Sequence, residues 1–398
     1  MRKTDLLTPE GTRDLLFEEC AAKRTISERI TKIFESFGYS EVITPGLEFY
    51  DVFNGKVRYF PQETMYKLVD GKNRLMVLRP DNTMPIARLA ATRLRDEELP
   101  LKMFYNQNIF MVNPKDSGRD DEISQCGIEI IGGKSYAADC EALTLAAKAL
   151  EACDEDYCLE IGDSGIFREL MSNYDCDEEK AEIIRGLIEN KNIPMLENMF
   201  SDAKTPEEKA FKALPRLFGG MEIFETAKEY LHGEALEENL SRLEKLCGDL
   251  CEIIPRDKIR VDLGLVNKKN YYTGIIFRGY VEGYGQPALS GGRYDTLLGD
   301  FGREAAAVGF GVNVEAAARV LLKNGEKSFT NAPDVLVYCE NGAEFTALKH
   351  CSELISQGLT VRNSLSECPK CAKKFAKEHN IHRVDIVGKD GTITSEEV

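Results

Sequence analysis

Residues 104–132 read FYNQNIFMVNPKDSGRDDEISQCGIEIIG, and the fold turns on this stretch. Tyr105 to Val112 predicts a strand. Pro114, Asp116, Ser117 and Gly118 are turn formers. Glu122 to Ile131 then alternates, with Ile123, Ile128 and Ile130 set against polar neighbours, which predicts a second strand. The pair makes a hairpin with a polar loop. Gln125 and Glu129, four residues apart on the second arm, point to the same face of the sheet. Such a hairpin carries side chains into a site from both arms. The same residues also suit an ordinary core hairpin with solvated polar positions.

Moving towards the N-terminus, Ile26, Ile30, Ile33, Phe34 and Phe37 recur at helical spacing and Gly38 stops the run. Glu41 to Phe49 predicts a strand broken by Pro45. Tyr66–Val69 and Arg74–Leu78 flank Asp70-Gly71, a hairpin turn. A helix is expected from Asn82, with Pro85 in its first turn and Ile86, Leu89, Ala90 and Leu94 on one face. Moving towards the C-terminus, a helix over 138–153 and a strand over 157–161 follow. Residues 167–255 read as an inserted helical subdomain whose stripe of Leu236, Leu240, Leu243, Leu250 and Ile254 is too short for a coiled coil. Strands are expected at 259–263, 271–281 and 307–314, then a helix from Glu315. Asn331 or Ala332 marks a linker. Beyond it, 334–338, 343–357, 359–363, 370–378 and 384–387 alternate strand and helix. The expected fold is α+β, with a core over 1–330 and a small α/β domain over 331–398.

The chain has 398 residues, 43% of them apolar, enough for a large core without disulfides or metal. No apolar run reaches the ~20 residues of a membrane span. The N-terminus lacks an apolar signal core, so a cytoplasmic protein without membrane partners is expected. The twelve cysteines are scattered and are expected as free thiols. Cys247 and Cys251 fall on a leucine face, and Cys368-Pro-Lys-Cys371 is a lone CxxC without the second pair of a zinc site. A net charge of −16 argues against non-specific nucleic-acid binding. The four histidines, His232, His350, His379 and His382, all lie outside the motif-rich segments. That argues against a histidine base or metal centre, and no cofactor is expected.

Six blocks carry a resemblance. Pro9–Asp14 (PEGTRD), Gly38-Tyr39 with Thr44-Pro45, Leu78–Thr83 (LRPDNT), Gly118-Arg119 to Gln125, Tyr271–Gly274 (YYTG) and Gly291–Asp295 (GGRYD) occur in the order seen in the histidyl-tRNA synthetase family. The chain resembles that family over nearly its whole length. The resemblance implies a class II synthetase core, an antiparallel sheet flanked by helices, dimerising through the early helix and the Pro45 strand. It also makes 331–398 similar to a shortened anticodon-binding domain without a basic end.

The departures bear on chemistry. By resemblance, the motif 2 arginine that holds the ATP α-phosphate and the amino-acid carboxylate falls on Met111. The glutamate facing the adenine falls on Asn113, and the motif 3 arginine falls on Ala316 after Glu315. The histidine-specific RGLDYY block reads Asn267–Tyr272, so its arginine is absent too. Adenylation builds charge on a transferring phosphate, which bidentate arginine stabilises. Each such group is worth about 3 kcal/mol of transition-state stabilisation. Losing three, treated as less than additive, costs roughly 8 kcal/mol, ~10⁶ in rate. Aminoacylation, and tRNA binding with it, is expected to be absent, and no catalytic residue is expected.

The resemblance implies that the amino-acid pocket survives. Asp81, Thr83 and Gln125 match residues that hold the amino group, and Glu129, Tyr271 and Tyr272 belong to the part that reads the imidazole. Arg119 and Arg293 are possible accessory residues. A synthetase-like core without its arginines resembles the regulatory-subunit family of ATP phosphoribosyltransferase. The implied role is in histidine biosynthesis: a non-catalytic, allosteric subunit required by a short-form catalytic subunit and conveying feedback inhibition by L-histidine. The implied assembly is a homodimer within a hetero-oligomer, a hetero-octamer. Two alternatives stay open, a diverged histidyl-tRNA synthetase and an amino-acid-binding or adenylating paralogue of another pathway.

Overall fold

The computed structural model describes residues 6–54, 60–114, 118–133, 136–266, 271–323 and 332–398. The chain divides into two compact units, Met1–Lys327 and Ser328–Val398. The first begins with α1 (Glu18–Ser36), β1 (Ser40–Glu41), β2 (Leu47–Phe49), α2 (Asp51–Asn54), β3 (Lys67–Val69), β4 (Leu75–Leu78) and α3 (Thr83–Thr92). The hairpin follows as β5 (Leu101–Phe110) and β6 (Glu122–Ile131), then α4 (Tyr136–Cys153), β7 (Tyr157–Asp163) and α5 (Ser164–Ser172). Next come α6 (Glu178–Glu189), α7 (Ile193–Met199), α8 (Pro206–Ala213), β8 (Phe218–Gly219), α9 (Ile223–Ala227) and α10 (Glu234–Leu250). The unit ends with β9 (Ile259–Asp262), β10 (Ile275–Val281), β11 (Leu289–Arg293), β12 (Ala307–Asn313) and α11 (Val314–Lys323).

A nine-stranded sheet in the order β1-β5-β6-β12-β11-β10-β7-β9-β8 carries this unit. Its centre is antiparallel, while β1–β5 and β7–β9 are parallel. Side-chain alternation gives the sheet two unlike faces. Phe104, Cys126, Ile128, Ile130 and Phe310 face one way, into a core with Ile26, Ile30 and Phe34 of α1 and Leu143 and Leu150 of α4. Met103, Tyr105, Ile131 and Ala307 face the other way, towards Met84, Ile86 and Ala90 of α3. Gln125, Gly127 and Glu129 share the parity of Ile131, so they lie on the α3 side. A separate antiparallel sheet, β2-β4-β3, stands beside α3, with Asn73 at positive φ in the β3–β4 turn.

Three expectations need correction. Glu41 to Phe49 is not one interrupted strand, because β1 joins the large sheet and β2 the small one. Tyr271 to Gly274 is not strand, because β10 starts only at Ile275. Residues 167–255 do not build a core of their own. The stripe Leu236, Leu240, Leu243, Leu250 and Ile254 is buried in the same cluster as α1 and α4, and β8 extends the main sheet beyond β9. Cys247 is fully buried on that stripe and Cys251 packs at its edge. All twelve cysteines are free.

The second unit contains β13 (Val335–Cys339), α12 (Glu344–Ser356), β14 (Val361–Asn363), α13 (Pro369–Glu378), β15 (Arg383–Val387) and β16 (Ile393–Glu397). Strands β14, β13 and β15 are parallel, and β16 adds an antiparallel edge that the sequence pattern does not predict. Asn331 lies outside the described residues. Among the described residues no helix is long and apolar enough to cross a membrane.

Candidate functional site

The α3 side of the sheet is floored by glycine. On β12, Gly309 lies opposite Glu129 and Gly311 opposite Gly127. A Cβ on Gly309 would stand 1.9 Å from Glu129 Oε2, and one on Gly311 would stand 2.4 Å from Gln125 Nε2. The polar side chains of β6 therefore lie flat over β12, in space that only an absent side chain provides. Gly292 likewise leaves room for the Tyr272 ring.

Glu129 is 1% exposed and accepts a hydrogen bond from the Tyr294 hydroxyl. Tyr294 follows β11 directly, and its ring stands 6.0 Å from that of Tyr271, which in turn stands 4.8 Å from Tyr272. Tyr105, Tyr271 and Tyr294 are all buried, and burial first, then nearby carboxylates including Glu129 and Asp81, holds their hydroxyls well above the usual tyrosine range. They stay protonated and keep a donor facing the acids.

Gln125 is fixed from two sides. Asn82 Nδ2 donates to its Oε1 at 2.9 Å, and the Tyr105 hydroxyl donates to the same oxygen at 3.3 Å. Behind Asn82, Gln107 Nε2 donates to Asn82 Oδ1 at 2.9 Å and to Thr44 Oγ1 at 3.0 Å. Arg79 closes the chain by donating to Gln107 Oε1 at 3.0 Å and to the Thr44 carbonyl at 2.7 Å. This relay is buried, and burial pulls the Arg79 guanidinium below its usual range. Asn82 is the N-cap residue of α3 but makes no capping bond with its side chain; Asp81, one residue earlier, accepts the Met84 N–H at 3.2 Å instead. Thr83 sits half-buried at the first position of that helix.

The structure thus groups Gln125, Glu129, Tyr271 and Tyr272 on one face, with Asp81 close enough to act on Tyr105, Tyr271 and Tyr294. The two accessory arginines lie elsewhere. Arg119 is exposed in the β5–β6 connection. Arg293 points to the opposite side of the sheet, where its Nε donates to Asp139 Oδ1 at 2.8 Å and Nη1 to Asp295 at 3.0 Å. Asn82, Tyr105 and Tyr294 were not predicted as part of the pocket. For Tyr105 the signal is register, because it lies opposite Gly127 and needs that glycine's missing side chain.

Where the resemblance implies an adenylation site, the side chains are short or neutral. Met111 is half-buried, and its N–H donates to the Asp121 carbonyl at 2.8 Å. Asn113 Nδ2 is taken up by the Asp120 carbonyl at 2.9 Å and Asp121 Oδ1 at 3.2 Å. Ala316 is 2% exposed within the α1–α4 core. Asn267 lies outside the described residues. Among the described residues no cluster of His, Cys, Asp or Glu is arranged to hold a metal.

A large antiparallel-centred sheet flanked by helices defines a histidyl-tRNA synthetase-like protein of class II fold, and the family model described as histidyl-tRNA synthetase matches residues 11–317. The ATP phosphoribosyltransferase regulatory subunit of Clostridium kluyveri is 38% identical over 95% of this chain and 98% of its own length. That of Clostridium acetobutylicum is also 38% identical, over 98% and 97%. The crystal structure of an ATP phosphoribosyltransferase regulatory subunit/histidyl-tRNA synthetase from Bacillus halodurans superposes with a TM-score of 0.83 at 29% identity, covering 96% of this chain and 98% of that one. A histidyl-tRNA synthetase from Nostoc, at 20% identity and a TM-score of 0.76, shares the fold. The chain belongs to the ATP phosphoribosyltransferase regulatory subunit family.

Proposed function

We propose that this chain is a non-catalytic regulatory subunit that a short-form ATP phosphoribosyltransferase catalytic subunit requires for activity, and that it conveys feedback inhibition by L-histidine. The observation that carries the reading is a contrast within one sheet. The pocket built on Glu129, Tyr294, Gln125 and Asn82 is fully furnished, while the adenylation positions hold Met111, Asn113 and Ala316. Histidine would place its imidazole N–H at Glu129 and the tyrosines, and its ammonium towards Asp81, Thr83 and Gln125, since carboxylates and amide oxygens accept from both. Feedback then requires histidine to favour one state of the complex over another, because equal binding to both shifts nothing. The proposed assembly is a homodimer of this chain within a hetero-octamer, and the second unit is a shortened anticodon-binding-like domain with no role in tRNA binding.

The test is the phosphoribosyltransferase rate of the short-form catalytic subunit, with ATP and phosphoribosyl pyrophosphate, measured with and without this chain. A rise in rate that histidine then suppresses supports the proposal. An unchanged rate with both proteins folded overturns it. Histidine-dependent ATP–pyrophosphate exchange by this chain alone would favour the diverged synthetase instead.

A further inference from the structure

The CxxC segment remains outside everything above. Cys368 and Cys371 bracket the first turn of α13, which follows β14 at the carboxyl edge of the parallel strands β14, β13 and β15. That edge is where α/β units commonly place reactive groups. Cys368 is the N-cap of α13, and its sulfur accepts the Cys371 backbone N–H at 3.2 Å. Cys368 is half-buried and Cys371 exposed, so both can be reached from solvent. Lys373 and Lys374 on the same helix are paired with Glu396 and Glu378, and Glu367 beside Cys368 opposes its thiolate, so the groups at the helix start are what favour it.

We propose that Cys368 and Cys371 form a redox-active dithiol, with Cys368 the attacking sulfur and Cys371 the resolving one, which exchanges with low-molecular-weight disulfides of the glutathione type. The asymmetry has a physical cause. The neighbouring Cys371 thiol first, then the backbone N–H groups that the first turn of α13 presents to the sulfur, favour the thiolate at Cys368 and pull its thiol below the usual range. Cys371 itself is raised by the same pairing. The contrast with the core thiols is wide, since burial pushes Cys126, Cys153 and Cys247 up to about 12.

The exchange balances without a further reagent. The Cys368 thiol gives up its proton, and its sulfur attacks one sulfur of the small disulfide. That S–S bond breaks, and the leaving thiolate takes up the proton. Cys371 then loses its proton and attacks Cys368, and the second small thiolate leaves and is protonated. Two electrons pass from the protein dithiol to the small disulfide, which yields two small thiols.

The experiment equilibrates the full chain with mixtures of reduced and oxidised glutathione, traps free thiols with N-ethylmaleimide, and maps each cysteine by mass spectrometry. The Cys368–Cys371 disulfide should be the principal oxidised species and should reopen on adding reduced glutathione. In the reduced chain, Cys368 should label roughly tenfold faster than Cys371. Cys371→Ser should accumulate glutathione on Cys368, and Cys368→Ser should form no adduct at residue 371. Serine is itself a good N-cap, so loss of exchange in Cys368→Ser is not explained by unravelling of α13. Equal labelling of the two thiols, an adduct on Cys371 in preference to Cys368, or oxidation no greater than at the half-buried Cys20 and Cys176 would each overturn the proposal.

Discussion

The hydroxyl of Tyr294 donates a hydrogen bond to Glu129 Oε2 across the glycine of β12, joining two residues 165 positions apart. The tyrosine belongs to the GGRYD block and the acid to the central hairpin, so the contact ties the two most recognisable segments of the chain into one site. Because burial and the Glu129 charge hold the hydroxyl protonated, the carboxylate keeps this donor at every physiological pH.

Replacing Glu129 by Gln keeps the shape and removes the charge that would hold an imidazole N–H. A hydrogen bond to a charged group contributes about 1.5–3 kcal/mol, which corresponds to roughly ten- to hundredfold in affinity. In the assembled complex, Glu129→Gln should raise the histidine concentration for half-inhibition by that factor. Assembly, followed by size-exclusion chromatography, should be unchanged. Loss of assembly would show that Glu129 is structural and remove the pocket from the feedback mechanism.

Gly309→Ala tests the floor directly. The new Cβ has nowhere to go without displacing Glu129, and overpacking of this kind costs about 1–3 kcal/mol. The variant should unfold at lower urea concentration, and under the proposed histidine site it should lose the thermal stabilisation by histidine that the proposal expects of the parent. Gly186→Ala, in α6 with nothing within 4 Å of the added carbon, is the control. It should be neutral or more stable by up to about 1 kcal/mol. Retention of full histidine stabilisation by Gly309→Ala would place the ligand elsewhere.

Restoring arginines should not restore adenylation. Ala316 lies inside the α1–α4 core, so Ala316→Arg buries a charge and should cost about 3 kcal/mol or more. Met111→Arg with Ala316→Arg should remain at background in ATP–pyrophosphate exchange while its urea midpoint falls. Histidine-dependent exchange by the double variant would mean that the rest of the catalytic machinery is intact.

Much of this was legible from residue pattern, and the exceptions have physical reasons. β6 runs over the predicted residues because its alternation is imposed by two different faces, one apolar and one glycine-floored. Asn82 does start α3 as its N-cap residue, as the pattern implies, but its side chain is drawn off to Gln107 and Gln125 and the neighbouring Asp81 supplies the capping oxygen, a choice between adjacent residues that only tertiary partners make. Tyr271 and Tyr272 look like strand because aromatic residues favour strands, yet their rings meet at a tilt in the turn before β10. β16, Ile-Thr-Ser-Glu-Glu, is an edge strand with little buried side chain, so it lacks the alternation that betrays a strand. The leucine stripe of α10, too short for a coiled coil, is buried core. Its spacing carries no information on which core it joins.

The other end of the sheet, where β7 and β9 run side by side, supplies a prediction about pH. Glu160 on β7 lies against Asp262 on β9, and Lys191 pairs with Asp262 at 2.8 Å. Desolvation first, then the Asp262 charge, raises the Glu160 carboxyl from 4.5 to about 7. A carboxyl raised in the folded state binds more protons there than in the unfolded chain between those two values. Its contribution to stability is therefore complete below about 4.5 and is lost as pH rises through about 7. The loss across that window is of order 3 kcal/mol. Urea midpoints measured from pH 4.5 to 7.5 should carry this downward component in the parent, and Glu160→Gln, neutral throughout, should remove it. Parallel pH profiles for the two proteins would show that Glu160 is already ionised at the low end, with Lys191 neutralising both acids rather than Asp262 alone.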